Sequence, residues 1–230
     1  MVRERFGLVA AWRRTRACHE EGIDPLREDP SGSPGSHPLI TGILLAAGAG
    51  TRFGGGKLRH PFGPEGVPLA IASLRTLRSV LPVVQVVIRP GEPELQKLFA
   101  DENVAVTICE RAVDGMGYSL AAAVAVSSPD STGWIIALGD MPRLAASTLE
   151  SVKQALESGA SIVIPTYRGR RGHPVGFARR HGEALRSLSG DEGARRIVAA
   201  NSADVVELPV DDAGVLADVD TREDLRRLEG

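Results

Sequence analysis

The sequence predicts an α/β fold: one open, mostly parallel β-sheet with helices on both of its faces. Two observations carry that expectation. Strand-like and helix-like stretches alternate from residue 39 to the C-terminus, the order that right-handed strand–helix–strand crossovers produce. Most of the strand-like stretches are also continuous Val, Ile, Leu and Ala runs rather than alternating ones, as expected when both faces of a sheet are covered. Ligands of such sheets sit beyond the carboxyl ends of the strands. Residues directly after strands are therefore the first candidates for chemistry.

Residues 1–38 stand apart as an N-terminal extension. They carry Arg3, Arg5, Arg13, Arg14 and Arg16, then Pro25, Pro30, Ser31, Ser33, Pro34, Ser36 and Pro38. They lack the apolar segment of a secretory signal and are too acidic for a transit peptide. The reading here is a short helix over 4–21 and a disordered or polyproline-like linker over 24–38. An arm packing on the domain or a partner, and a wholly disordered extension, are both open. Residues 39–230 form the folded domain. Its first strand, 40–47, runs apolar until Gly48 stops it, and helix 68–81 follows. Strand 83–89, helix 92–101 and strand 103–109 come next. The small residues of Asp114–Ser119 lead into an Ala-rich helix over 117–127. Then come strand 134–139, helix 145–158, strands 160–165 and 174–178, helices 180–187 and 191–200, strand 203–208, and a closing helix over 221–229. Gly, Pro and Asp punctuate the joins.

Composition narrows the function. The 230 residues include 43% apolar ones, enough for a core, and the net charge is −2, so no global basic field argues for nucleic acid or an acidic membrane. No run of about 18 apolar residues is present to span a membrane. Cys18 and Cys109 lie in unlike contexts and suggest neither a disulfide framework nor a zinc site. The cytoplasm is the expected compartment.

The stretch Leu44–Leu58, LLAAGAGTRFGGGKL, carries the strongest signal. A buried strand opens into a loop with almost no side-chain bulk. Glycine lets backbone N–H groups approach an anion closely, and Arg52 and Lys57 in the same loop make a polyphosphate the natural ligand. It is not a P-loop, because Thr51 and Leu58 stand where that motif needs Gly and Ser or Thr. It is not the GxGxxG dinucleotide fingerprint, because Phe53 stands at the last glycine. In the second stretch, WIIALGDMP, Asp140 follows an apolar strand, well placed to hold Mg²⁺. The alternative, a cap for the helix near Ala145, is weakened by Pro142 and the gap between them. In the third, LADVDTREDL, Asp218 and Asp220 precede a helix start, with Asp220 or Thr221 as N-cap. Metal ligands and plain capping or surface acids both suit this pair. The fourth, RGRRGHPVGF, is a cationic loop that suits a phosphorylated second substrate or a solvated hairpin with a basic tip. His173 within it is a candidate general base. The fifth, GDEGAR, places Asp191 and Glu192 favourably at a helix N-terminus.

The first motif resembles LAAGxGxRxGxxK, the opening of the MobA-like nucleotidyltransferases, with Leu45, Ala46, Ala47, Gly48, Gly50, Arg52, Gly54 and Lys57 all matching. The resemblance covers about residues 40–229. It implies a Rossmann-like sheet of the nucleotide-diphospho-sugar transferase type. It implies a metal ligand at Asp140, in GDMP, and a second at Asp220, where Arg222 replaces the family's usual proline. Nucleobase contacts would come from Ser119 and the Gly115 and Gly117 backbone. His173, Asp191 and Asp218 would lie on the acceptor side. Ala47 follows the branch that looks like molybdenum cofactor cytidylyltransferase, since the guanylyltransferase branch more often has glycine there.

The expected reaction follows. In an Mg²⁺-dependent step, the terminal phosphate of a molybdopterin-type acceptor attacks the α-phosphorus of CTP and pyrophosphate leaves. Neutralising and aligning two anions is the main task. The amides of Ala46, Ala47, Gly48, Ala49 and Gly50, with Arg52, would hold the β- and γ-phosphates, and Lys57 the transferring one. A molybdoenzyme or its chaperone would be the partner. GTP or another phosphorylated acceptor remains an alternative, as does a non-catalytic nucleotide-binding module. Intact Arg52, Lys57, Asp140 and Asp220 speak against the module, and Phe53 disfavours a dehydrogenase.

Overall fold

The structure is a computed structural model that describes residues 39–229. The helix expected over 4–21 and the linker over 24–38 lie outside the described residues.

The chain builds β1 (Leu39–Leu45), a short hairpin of β2 (Pro61–Phe62) and β3 (Val67–Pro68), α1 (Leu69–Val80), β4 (Val83–Ile88), α2 (Pro93–Asp101) and β5 (Ala105–Ile108). It continues with α3 (Met116–Val126), β6 (Ser131–Leu138), α4 (Ala146–Glu157), β7 (Ile162–Tyr167), β8 (Arg170–Arg171) and β9 (Val175–Ala178). It closes with α5 (Gly182–Arg186), α6 (Arg195–Ala200), β10 (Val205–Pro209) and α7 (Arg222–Glu229). The main sheet runs β10-β7-β9-β6-β1-β4-β5, with β8 paired to β7. Its pairings are parallel except those that β9 makes with β6 and β7, and β8 with β7. This is the open, mostly parallel sheet that the sequence predicts.

Helices cover both faces, and the strand alternation shows how. Leu44 joins a core with α1, α2 and α4. Ile43 and Leu45, on the other side of the same strand, pack with α3, α5 and α6. Successive side chains of a strand point oppositely, so a strand apolar at every position serves two layers. Polar residues inside strands are paired: the buried hydroxyls of Thr41 and Ser131 lie 2.7 Å apart, which lets β6 begin at Ser131 rather than Trp134. A third, smaller core joins Phe53, Phe62, Leu69, Val219 and Leu225. It ties the glycine loop to α7.

Three expectations change. The helix expected over 191–200 begins only at Arg195, because Gly190 and Gly193 take φ of 67° and 54°, left-handed values that stop a helix. Asp191 and Glu192 therefore sit in a turn. The helix over 180–187 divides into a single 3-10 turn, Arg179–His181, and α5. The hairpin of β2 and β3 has no counterpart in the sequence reading; its two-residue strands are too short to show a period. Among the described residues no helix is long and apolar enough to cross a membrane.

Candidate active site

Register brings the two best motifs together. Leu45 pairs with Leu138 on one side and Val87 on the other, so the loops after β1, β4 and β6 leave the sheet side by side. The Gly139 amide donates to the Leu45 carbonyl at 2.9 Å and the Ala46 amide to Val87 at 2.8 Å, which fixes the first residues of these loops. Beyond them the glycine loop folds back on itself. Gly50 adopts φ 60° and ψ 32°, and its carbonyl accepts from the Phe53 and Gly55 amides, both at 3.1 Å. A Cβ on Gly50 would lie 3.2 Å from Cβ of Lys57, so glycine permits both the backbone angle and the close approach. The fold-back turns Lys57 inward, where only 8% of it is exposed.

The Lys57 ammonium lies between two carboxylates. Nζ donates to Asp140 Oδ2 at 2.7 Å and to Asp220 Oδ1 at 3.3 Å. Burial alone would lower the lysine pKa, but the charges and hydrogen bonds of Asp140 and then Asp220 outweigh it and hold the group above its usual 10.5; Lys57 is charged. Arg52 Nη1 donates to Asp220 Oδ2 at 3.0 Å. That pair is largely solvated and adds little stability.

Each aspartate is held by its backbone. The Asp140 carbonyl accepts from the Val219 amide at 3.0 Å, which clips the end of β6 to the C-terminal segment. Val219 is fully buried. Asp218 and Asp220 flank it, the first exposed and the second partly exposed. Thr221 is the cap of α7: its Oγ1 accepts from the Asp224 amide at 3.1 Å, and Asp224 Oδ2 accepts from the Thr221 amide at 2.7 Å. This reciprocal cap leaves the Asp220 carboxylate free for the site. Asp140 does not cap α4. That role falls to Asp212, whose Oδ2 accepts from the Ala145 amide at 3.0 Å and Thr148 Oγ1 at 2.7 Å.

The donor set fits a hard divalent cation. Asp140 and Asp220 offer carboxylate oxygens, and Asp140 Oδ1 is buried with no hydrogen-bond partner among the described residues, an arrangement that is costly unless a ligand satisfies it. Among the described residues no three His, Cys, Asp or Glu side chains converge as a complete metal cage. Any such ion would share its coordination with substrate oxygens.

Two large cavities share Leu45, Met116, Leu138 and Asp191 in their walls, and Asp140 lines the first. The first, about 440 Å³, is lined by Ala47, Gly48, Ala49, Lys57, Ser119 and Asp140 among others. The second, about 490 Å³, has apolar walls, with Arg171, His173, Asp191, Glu192 and Arg195 at its polar positions. Asp191 borders both. Ala46 and Gly50 line a narrow recess behind the loop instead. Gly117 lines neither large cavity; its amide donates to the Gly190 carbonyl at 2.8 Å, and a Cβ there would meet Ser189 O at 2.7 Å. Its role is to let two loops touch. His173 lies deep in the second cavity. Burial lowers its pKa below 6.5, more than Asp140 and Asp218 raise it, so the ring is neutral. Arg89, Met116, Arg171 and Arg195 are cavity residues that the sequence reading did not single out. Arg171 and Arg195 lie within the RGRRGHPVGF and GDEGAR motifs, whereas Arg89, expected to end strand 83–89, instead follows β4.

The chain is similar to several known proteins. Residues 42–205 match the MobA-like NTP transferase domain. The chain is 31% identical over 197 residues to the purine catabolism protein PucB of Bacillus subtilis (strain 168), covering 81% of this chain and 94% of that one. It is 31% identical over 199 residues to the molybdenum cofactor guanylyltransferase of Cupriavidus metallidurans, covering 83% and 94%. Among solved structures, it resembles Rv0371c of Mycobacterium tuberculosis H37Rv in complex with manganese, with a TM-score of 0.71 and 28% identity over 84% of this chain and 98% of that one.

Proposed function

Because the chain belongs to the MobA-like NTP transferase family, we propose that it moves a nucleoside monophosphate from CTP to the terminal phosphate of a molybdopterin-type acceptor. The observation that carries this reading is Lys57 placed between Asp140 and Asp220 at the edge of the loop cavity. A buried cation and two carboxylates beside a glycine-rich loop suit the transfer of a phosphoryl group between anions.

The triphosphate lies along the glycine loop. Among the described residues, the Gly48 and Ala49 amides donate to no backbone carbonyl, and with Arg52 they take the β- and γ-phosphates. Lys57 takes the α-phosphate, which is the one transferred. Asp140 and Asp220 hold Mg²⁺, which when bound supplies charge neutralisation across the phosphates; the manganese complex of Rv0371c supports a divalent ion. The acceptor occupies the second cavity, beside His173, Asp191, Arg171 and Arg195, with Asp218 close enough to His173 for its charge to act on the ring. An oxygen of its phosphate forms a bond to the α-phosphorus as the α–β bridge breaks, and pyrophosphate carries away the electron pair. The attacking phosphate is already anionic, so no base is required, and His173, a neutral ring, lines the acceptor's cavity. Ser119 borders the nucleoside. A molybdoenzyme or its chaperone receives the product, and the reaction belongs in the cytoplasm.

Ala47, which lines the first cavity, favours CTP, because a methyl group there would take space that glycine leaves to a larger base. The guanylyltransferase relative favours a second reading, with GTP as donor. Mass spectrometry of the product formed from a triphosphate mixture and molybdopterin separates the two. A cytidylyl adduct is expected, and a guanylyl adduct alone would establish the second reading. Nucleotide binding with no pyrophosphate release across a broad acceptor panel would instead mark a non-catalytic module.

A further inference from the structure

We propose that Lys57 and the divalent ion are alternative partners of Asp140 and Asp220, so that Lys57 is released to the phosphates only as the ion takes the carboxylates. This deepens the functional reading above and rests on it.

The argument begins with charge. Lys57 Nζ reaches one oxygen of each carboxylate, at 2.7 Å and 3.3 Å. Arg52 reaches only Asp220 and is 78% exposed at its side chain, so Lys57 is the buried cation among the described residues that offsets Asp140. Two carboxylates this close repel each other unless a positive charge lies between them. The ammonium therefore does in the protein alone what a divalent ion would do with substrate, and both need the same oxygens. A divalent ion carries twice the charge, and the two cations in one notch would repel.

The geometry lets only the tip of the side chain move. Cβ of Lys57 lies against Gly50, where even a methyl group would sit at 3.2 Å, and the residue is buried, so its base is pinned. The ammonium ends a flexible stem with rotatable donors and lines the first cavity beside Gly48 and Ala49. A rotation of the outer bonds is enough to exchange carboxylate oxygens for phosphate oxygens. The exchange makes a productive phosphate contact conditional on metal loading, because Lys57 otherwise remains with the aspartates. Asp140 Oδ1, buried and without a partner among the described residues, is an oxygen that the ammonium does not use.

The two roles give one substitution opposite signs. Lys57→Met removes the competitor, so Mn²⁺ alone, titrated against the full chain by paramagnetic resonance, should bind about tenfold more tightly, a difference of about 1.4 kcal/mol. The same variant, saturated with Mn²⁺, should bind CTP at least about tenfold more weakly than Mn²⁺-saturated wild type, since one charge-assisted contact is lost. A lysine that merely braced the site would, when removed, weaken both. Mn²⁺ binding that weakens or stays the same therefore overturns the proposal. Lys57→Arg covers the case in which the methionine variant does not fold: a guanidinium held by both carboxylates should bind Mn²⁺ less tightly than wild type, and equal or tighter binding would count against competition. The Mn²⁺ arm needs no nucleotide. A protein that shows the opposed Mn²⁺ shifts yet turns over no triphosphate would retain the competition and lose the transferase reading.

Discussion

Lys57 is well determined at its own position because three local features converge on it. The glycine loop folds back at Gly50, the side chain turns away from solvent, and two aspartates receive its charge. Lys57→Ala should lower kcat by about 10²-fold or more, the loss of one preorganised charge contact worth roughly 3 kcal/mol in the transition state. Steady-state pyrophosphate release measures it, and an unchanged kcat would remove the lysine from the chemistry. Asp140→Asn keeps the shape of the carboxyl group and removes its charge, leaving Lys57 half-paired. Calorimetry should then show loss of metal-dependent triphosphate binding, and wild-type affinity would count against a metal role. Arg222, which stands in place of the proline of the resembled motif, has its guanidinium 5.2 Å from the centre of the Phe53 ring. The departure from the pattern thus contributes a contact between α7 and the glycine loop.

Among the elements, α7 and the glycine loop behave as one unit because the third core joins them through Phe53, Phe62, Val219 and Leu225. Phe53→Ala should cost about 3 kcal/mol or more, as emptied aromatic sites do, and it should also raise KM for the triphosphate, since Arg52 and Asp220 lose their common support. Phe53→Leu should restore most of both; a variant with lowered Tm but unchanged KM would show that this core only adds stability. α4 offers the opposite case. Asp212 caps it from a distant segment and also accepts from the Gly214 amide at 2.8 Å, yet touches nothing in the site. Asp212→Ala should cost about 2 kcal/mol, near the upper end for a lost cap, in denaturant unfolding while leaving kcat and KM as they were. Boundaries set by local chemistry, such as the Thr221 cap, were legible in the sequence. The Asp212 cap was not, because nothing in the local chain announces a partner from another segment. The delayed start of α6 was half legible, since Gly193 stood in the sequence but acidic residues beside it favour a helix N-terminus.

For the whole molecule, pH acts through histidines buried as neutral rings. His181 is 6% exposed, with Nε2 2.8 Å from Ser161 Oγ. Burial, then the neighbouring Arg180, lowers its pKa below 6.5, against a smaller upward push from Asp204; burial does the same to His173. Below 6.5 the unfolded chain therefore binds more protons than the folded one, and stability falls as pH falls. Tm should drop between about pH 7.5 and about pH 5.5, with a shallower slope in His181→Gln, and a Tm that rises on acidification would contradict the assignment. At this scale the sequence by itself determined the fold class, the strands that end in chemistry and the types of residue that carry it. Those depend on hydrophobic period and on glycine, which act within a few residues. Only the tertiary structure decided that β9 enters the sheet antiparallel between β6 and β7, that Gly117 serves a loop contact rather than a cavity wall, and that Lys57 lies between Asp140 and Asp220. Such pairings join residues far apart in the chain. Sheet register and the packing of both faces select them together, and no local pattern encodes that choice.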